Sequence, residues 1–279
     1  MKAHQRLIRE REALMPDPLR AEKVRLAQSF DNASVREISH AVGKELIERY
    51  EWLGNMGCTD YTFGLYFGEY LAGVACFGRT AGTKTAASIC GAQYAHLVRV
   101  LNRGACVHWA HPHSASYLIP RACNLMAEKG FNIFVAYSDA DAGEIGTVYQ
   151  ATNWLYCGTT NSASSAFVWP KKPVPNAPKS SQSLEGRLAV LKDGIARDER
   201  SISNLVRDRQ FTNTAAAYKI KCTRREIRER MVREGFLFLK SQPKGRYVTF
   251  AGDKTLVKEL RAALRWNVWP YPKREALTS

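Results

Sequence analysis

The eight-residue run FNIFVAYS (131–138) holds no charged side chain and is bordered by Gly130 and Asp139. A continuous β-rich stretch of this kind suits a strand buried inside a sheet. TFGLYFGEYLAGVACFG (62–78) reads as two β-rich runs flanking GEY, a hairpin. YAHLVRVL (94–101) is a further strand. Before them, SVREISHAVGKELIERYEWLG (34–54) places Val35, Ile38, Val42, Leu46, Ile47 and Tyr50 at helical spacing, with Gly54 as a C-terminal cap. After YAHLVRVL comes a loop, NRGACVHWAHPH (102–113), then a helix capped by Ser114 or Ser116 and ended by Gly130. GTVYQATN (146–153) is a short helix, and WLYCGTT (154–160) with AFVWP (166–170) read as two closing strands. Residues 35–169 therefore run helix, hairpin, strand, helix, strand, short helix, strands, an α+β or α/β core.

The flanks differ in kind. Residues 1–34 form a charged helical arm broken by Pro16 and Pro18. PKKPVPNAPKSSQS has no periodicity and gives a linker over 171–183. Charge is split unevenly: residues 1–170 hold 16 basic and 15 acidic side chains, whereas residues 171–279 hold 25 and 11, so nearly all of the chain's +15 lies in the second part. Such a surplus argues for a polyanionic partner. Within it, residues 184–240 look helical and basic, and TAAAYKIKCTRREIRERMVREGFLFL has the cadence of a helix-turn-helix. Thr223 would cap a second helix, Arg224 to Glu234, of the type that enters a major groove. Lys219, Lys221, Arg224, Arg225 and Arg228 are its candidate DNA contacts; a plain solvated helical pair is the alternative. The chain ends with a strand (GRYVTFAG), a helix (DKTLVKELRAALRWN) and the tail VWPYPKR, too apolar to be free and expected to pack back on the first domain over 244–279.

Seven cysteines without a C-x-x-C pair speak against a disulfide framework and for a reducing cytoplasm. No apolar run reaches membrane-spanning length, so no membrane is expected as a partner. Four groupings are candidates for chemistry. Cys106, His108, His111 and His113 could bind zinc or iron, although no second ligand pair accompanies them and a loop of hydrogen-bonded histidines is the simpler reading. The N-terminus of the helix at Ser114 or Ser116 offers free N–H groups to an anion. Asp139 and Asp141 follow directly on the buried strand, with Tyr149 on the next helix, so a carboxylate could accept a proton and a tyrosine donate one; capping and core packing are the competing readings. Trp154 and Tyr156 alternate as core residues of a strand would.

This order of elements matches the GNAT acyltransferase fold, an α+β mixed sheet with flanking helices and here an inserted basic helical module. The motifs RV (99–100), SAS (114–116), YSD (137–139), G-x-x-G-T-V-Y-Q-A-T-N-W-L-Y-C-G (143–158) and KGRYVTF with PYPK resemble those of the phage Mom family. That family is GNAT-like and converts adenine in DNA to N6-carbamoylmethyladenine, which protects phage genomes from restriction. The resemblance implies Asp139 and Tyr149 in the active site with Arg99 and Ser114 beside them, and Tyr50 as the tyrosine ending the first helix. It implies an acyl-CoA such as acetyl-CoA, bound along Val98 and Val100 of the splayed strand and at Ser114 and Ser116, and it allows for iron. Two departures stand out: the family's G-H-x-G reads GEIG, with Glu144 in place of histidine, and its His-Tyr reads Arg49-Tyr50.

The function implied is modification of the N6 amine of adenine in double-stranded DNA, in a bacterial host cytoplasm, with a homodimer among the expected assemblies. The rivals are an acyltransferase acting on protein or tRNA, and a DNA-binding regulator without catalysis.

Overall fold

The computed structural model describes residues 4–51, 53–160, 165–168, 197–198, 237–240 and 243–273. The chain divides into two units, residues 1–160 with 244–279, and residues 161–243. Unit one opens with α1 (His4–Glu12), α2 (Arg20–Leu26), β1 (Ala33–Glu37), α3 (His40–Tyr50), β2 (Tyr61–Phe67) and β3 (Tyr70–Gly78). It continues through α4 (Thr83–Cys90), a 3-10 turn (Ala92–Leu97), β4 (Val98–Cys106), α5 (Ser114–Glu128), β5 (Ile133–Ser138), a second 3-10 turn (Ala140–Ala142), α6 (Thr147–Ala151) and β6 (Leu155–Thr159). In unit two, β7 (Ser165–Val168) pairs with β8 (Arg197–Asp198) and β9 (Leu237–Lys240). Unit one resumes with β10 (Gly245–Phe250) and α7 (Lys254–Ala262).

Seven strands of unit one form one mixed sheet in the order β1-β2-β3-β4-β5-β10-β6. Only β4 and β5 pair in parallel; the other five pairings are antiparallel. Both faces of the central strands are covered, and side chains alternate between two cores as a strand's two-residue period requires. On β5, Phe134 and Ala136 join a core with α1, α3 and α5, while Ile133 and Val135 join one with α4 and α7. Covering on both sides explains why 131–138 is apolar without alternation. This is an α+β arrangement, a mixed sheet flanked by helices. No helix among the described residues is long and apolar enough to cross a membrane.

The structure corrects several expected boundaries. Residues 33–37 are not helical but form the edge strand β1 against β2, and α3 starts only after Ser39, whose side chain accepts the Val42 N–H at 3.4 Å. Residues 94–97 belong to a 3-10 turn, and β4 runs on through 102–106, where a loop was expected. The weakly patterned segment 83–90 is a helix, α4. Of the two strands expected to close the main sheet, only β6 does so; residues 165–168 pair within unit two. Residues 197–198 and 237–240 are strands, against the wholly helical reading of 184–240. The linker and the helix-turn-helix lie outside the described residues.

The tail is bonded to the β6 region while Val268, Trp269 and Tyr271 keep their side chains exposed. The Trp269 N–H donates to the Tyr156 carbonyl at 2.9 Å, and the Tyr271 hydroxyl donates to the Trp154 carbonyl at 2.9 Å.

The segment after α3 packs hard against the end of β3. A Cβ on Gly78 would lie 1.8 Å from the Cys58 carbonyl oxygen, so only glycine fits there without moving main chain. Gly78→Ala should therefore destabilise unit one by about 1–3 kcal/mol, the range of core overpacking, as read from urea denaturation.

Candidate active site

β4 and β5 stay paired only from Val98↔Ile133 to Leu101↔Ala136. Beyond that rung the register of β3 against β4 shifts, with Asn102 as the extra residue on β4. A bulge of this kind bends its strand. β4 therefore leaves β5 while still bonded to β3, and the β5 side of residues 102–106 is without its strand partner.

Asp139 sits at the end of β5, directly where the strands part. It is buried, and the Lys244 ammonium approaches its Oδ2 at 2.8 Å. Its main-chain carbonyl accepts the N–H groups of Ala142 (3.1 Å) and Glu144 (3.0 Å), which folds the chain into a tight turn. Gly146 completes that turn at φ 72° and caps α6; a Cβ there would lie 2.5 Å from the Tyr247 ring. Tyr247 in turn packs on Tyr149, with ring centroids 5.1 Å apart, and donates its hydroxyl proton to the Ile145 carbonyl. Tyr149 also lies against Trp154 at 5.2 Å. The Asp141 side chain lies outside the described ones.

Glu144 is the most perturbed acid of the group. Burial, then the negative charges of Glu51 and Asp139, push its carboxyl up to about 8, only partly opposed by Lys244. Near neutral pH it holds a proton and can release it. Tyr149 is pushed well above the ordinary tyrosine value by burial, with Glu144, Tyr247 and Glu51 adding to it, and so stays protonated. Glu51 is buried, accepts the Leu53 N–H at 2.8 Å and stands 3.8 Å from the Arg103 guanidinium. Arg103 also donates to the Asn55 carbonyl and side-chain oxygens at 2.7 and 2.8 Å. Three carboxyl groups, two cations and a protonated tyrosine thus gather where β4 and β5 part.

Sequence reasoning found Asp139, Tyr149 and, as an anomaly, Glu144. It missed Glu51, Arg103, Lys244 and Tyr247. Lys244 and Tyr247 stand inside the KGRYVTF motif, and Glu51 directly follows Tyr50, so weak signals existed. Arg103 had none.

The remaining expected residues spread out. Arg99 pairs with Phe134, five residues before Asp139, or roughly 16 Å along a strand. Its guanidinium lies 3.6 Å from the Phe131 ring centroid, and the structure does not bring it to Asp139. Val98 and Val100 lie in the paired, buried part of β4, short of the opening. Ser114 is the first residue of α5 rather than its cap, and Ser116 lies inside the first turn; the cap position is His113. The Ser114 hydroxyl is buried without a hydrogen-bond partner. Lys219, Lys221, Arg224, Arg225 and Arg228 lie outside the described residues.

Tyr50 is buried and its hydroxyl lies 2.9 Å from His108 Nδ1, on the wall of a cavity of about 450 Å³ between the N-terminal arm, α3 and the end of β4. Burial raises Tyr50 to about 12 and lowers His108, so the pair is neutral near pH 7. Arg49, at the position of the expected histidine, is bonded to Glu12 at 2.6 Å. The metal-ligand alternative does not survive the geometry. His108 faces Tyr50, His111 Nδ1 accepts the His113 N–H at 3.2 Å, and burial pushes the Cys106 thiol up to about 11. Among the described residues no three His, Cys, Asp or Glu side chains converge on one point, so they do not fit an iron or zinc ion.

The family model described as the Mom protein family matches residues 32–180, just over half of the chain, and the chain belongs to the Mom protein family. A comparison with curated proteins yields no match. Among solved structures, an N-acetyltransferase from Staphylococcus aureus Mu50 is 16% identical, covering 46% of this chain and 87% of that one, with a TM-score of 0.35. An acetyltransferase from Bacillus subtilis, solved in complex with CoA, is 10% identical over 47% of this chain and 81% of that one, with a TM-score of 0.32.

The raised Glu144 has a consequence for stability. In the unfolded chain a glutamate loses its proton near 4.5, whereas in the folded protein it holds on until about 8. Between those values the folded state binds the extra proton, so its stability falls as pH rises and levels off above 8. Glu144→Gln should match the wild type near pH 4.5 and exceed it at pH 8, as measured by urea denaturation across that range.

Proposed function

We propose that the chain is a GNAT-like transferase that modifies the N6 amine of adenine in double-stranded DNA. The product would be N6-carbamoylmethyladenine, made in the cytoplasm of a bacterial host, where it would shield phage DNA from restriction. The observation that carries this reading is the buried Asp139–Lys244 pair at the strand opening, with a proton-holding Glu144 and a protonated Tyr149 beside it.

The reaction asks for such a set. The exocyclic amine of adenine is a weak nucleophile because its lone pair is delocalised into the ring. A carboxylate that takes the amine proton as the new N–C bond forms lowers that barrier directly. Asp139 is placed for this, and Lys244 compensates the charge that Asp139 buries. Glu144, which holds its own proton until about pH 8, can relay that proton only by first giving its own to solvent. Tyr149, kept protonated by its burial, can donate a hydrogen bond to a group that gains negative charge. Arg103 and Glu51 brace the opposite wall.

The residues present fit an acyl-CoA. The Asn102 and Gly104 carbonyls beyond the opening already accept from Arg103 and Gln5, each at 2.6 Å, so it is the buried, unpartnered Ser114 hydroxyl at the start of α5 that supports a place for an anionic group. When bound, the thioester would supply an activated two-carbon unit; its acyl transfer alone would release the thiol and leave N6-acetyladenine, so a carbamoylmethyl product requires in addition a nitrogen donor and a bond from the amine to the CH2 carbon. Ser114 is the proposed contact, and Val98 and Val100 lie in the paired part of β4.

A base in a duplex must be extruded to be reached, at a cost of about a few kcal/mol that cationic contacts to phosphates can offset. The excess of 25 basic over 11 acidic side chains in residues 171–279 supports that role, with Lys219, Lys221, Arg224, Arg225 and Arg228 as proposed contacts.

Nucleoside mass spectrometry of plasmid DNA from cells expressing the protein tests the reading. Wild type should yield a carbamoylmethylated adenosine, and Asp139→Asn should slow its formation roughly 10²–10⁴-fold, the usual loss of a general base. Only unmodified adenine beside soluble wild-type protein would sink it.

A further inference from the structure

The C-terminal tail is ordered but does not hide its aromatic side chains. Trp269 is 56% exposed, Val268 54% and Tyr271 42%, although the main chain beneath them is fixed. Trp269 and Tyr271 bond to the β6 region, and Gln150 of α6 reaches the Pro272 carbonyl at 3.5 Å. Pro270 and Pro272 further restrict the backbone on either side of Tyr271. A segment tied down so firmly has no need to leave a tryptophan in water for the sake of packing.

A cation lies on Trp266, just after α7. The Arg246 guanidinium stacks 4.6 Å from the Trp266 ring centroid and donates to the Cys157 carbonyl at 2.8 Å. A Cβ built on Gly158 would lie 3.4 Å from the Trp269 ring and 3.9 Å from Arg246 Nη2, so both side chains approach the same glycine of β6. Arg246 is two residues from Lys244, the partner of Asp139. Gln150, which holds Pro272, directly follows Tyr149. Trp269 and the Arg246–Trp266 pair therefore lie near the segments that carry Lys244 and Tyr149.

Exposed aromatic faces on a rigid frame, interleaved with an arginine, are suited to stacking nucleobases while the cation meets the phosphate chain. A protein partner would also accept the aromatics but would gain less from the cation. We propose that the tail, through Trp269 with Arg246 behind it, is a stacking platform for an unpaired nucleobase of the DNA strand held next to the active site. The proposal rests on the DNA-modifying reading of that site and names the surface which holds an opened strand.

Binding of fluorescein-labelled oligonucleotides, single-stranded and duplex, to the full chain tests it by anisotropy over a range of salt. Trp269→Ala should weaken single-strand binding roughly 5- to 150-fold, the usual value of one stacked base. The slope of log affinity against log salt should not change, because no phosphate contact is removed. Trp269→Phe should restore most of the loss, and thermal unfolding should match wild type in both variants. Unchanged affinity in Trp269→Ala would overturn the proposal. So would a flattened salt slope, or a dimer-to-monomer change in light scattering, which would make the surface a contact between copies. Adenine modification measured in parallel separates the two readings. Normal modification with Trp269-independent binding removes the platform alone; Trp269-dependent binding by a wild type that leaves adenine unmodified removes the reaction alone.

Discussion

The pairing of Lys244 with Asp139 is the interaction on which the arrangement turns. Asp139 ends β5, and Lys244 is the residue at which the chain re-enters unit one after 83 residues elsewhere. Two further bonds secure the re-entry: the Thr160 N–H donates to the Lys244 carbonyl at 2.9 Å, and the Lys244 N–H to the Thr160 hydroxyl at 3.0 Å. The ends of the excursion are thus closed on each other, and β10 slots between β5 and β6 to complete the sheet. One lysine fastens the insertion point and compensates a buried catalytic-type carboxylate. A buried charge deprived of its partner is costly, so the same contact couples the closing of the sheet to the shape of the site.

Around that pair, charge is uneven in a useful way. Asp139 has Lys244 and Glu51 has Arg103, but Glu144 has no comparable cation and feels both neighbouring carboxylates. Like charges in a desolvated space cannot all ionise together, so the group with least compensation keeps its proton longest. By the resemblance of GEIG to a G-H-x-G motif, Glu144 takes the place of a histidine, a side chain that titrates near neutrality unaided. A glutamate brought near 8 by its surroundings reaches a similar working range from the other direction. The substitution changes the charge of the protonated form from positive to neutral while keeping a group that can exchange a proton near pH 7.

Much of the sheet was legible because its strands obey local rules. FNIFVAYS is apolar on both faces, the GE turn separates two β-rich runs, and Gly130 ends α5, all signals contained within a few residues. The failures have a common cause in long-range pairing. Val35 and Ile38 carry helical spacing, yet 33–37 is drawn into the sheet by five rungs with β2. Residues 102–106 look like a loop because they are polar and glycine-bearing, and they are a strand because β3 bonds them across the bulge at Asn102. The site shows the same division. Asp139 and Tyr149 belong to one contiguous motif, whereas Arg103, Glu51 and Lys244 come from three separate segments that only the folded chain gathers.

The tail answers a different feature of the sheet, its last edge. β6, the strand after α6, has β10 on one side and no strand on the other within unit one. An unpaired edge next to a site invites pairing with other chains. The tail meets this edge with main-chain and hydroxyl bonds, the Trp269 N–H to Tyr156 and the Tyr271 hydroxyl to Trp154, rather than with another full strand. Two prolines prevent it from extending the sheet, since each lacks the N–H a ladder requires. The edge is thereby covered without being lengthened, and the aromatic rings carried by the cover are turned outward beside the active site instead of into a core.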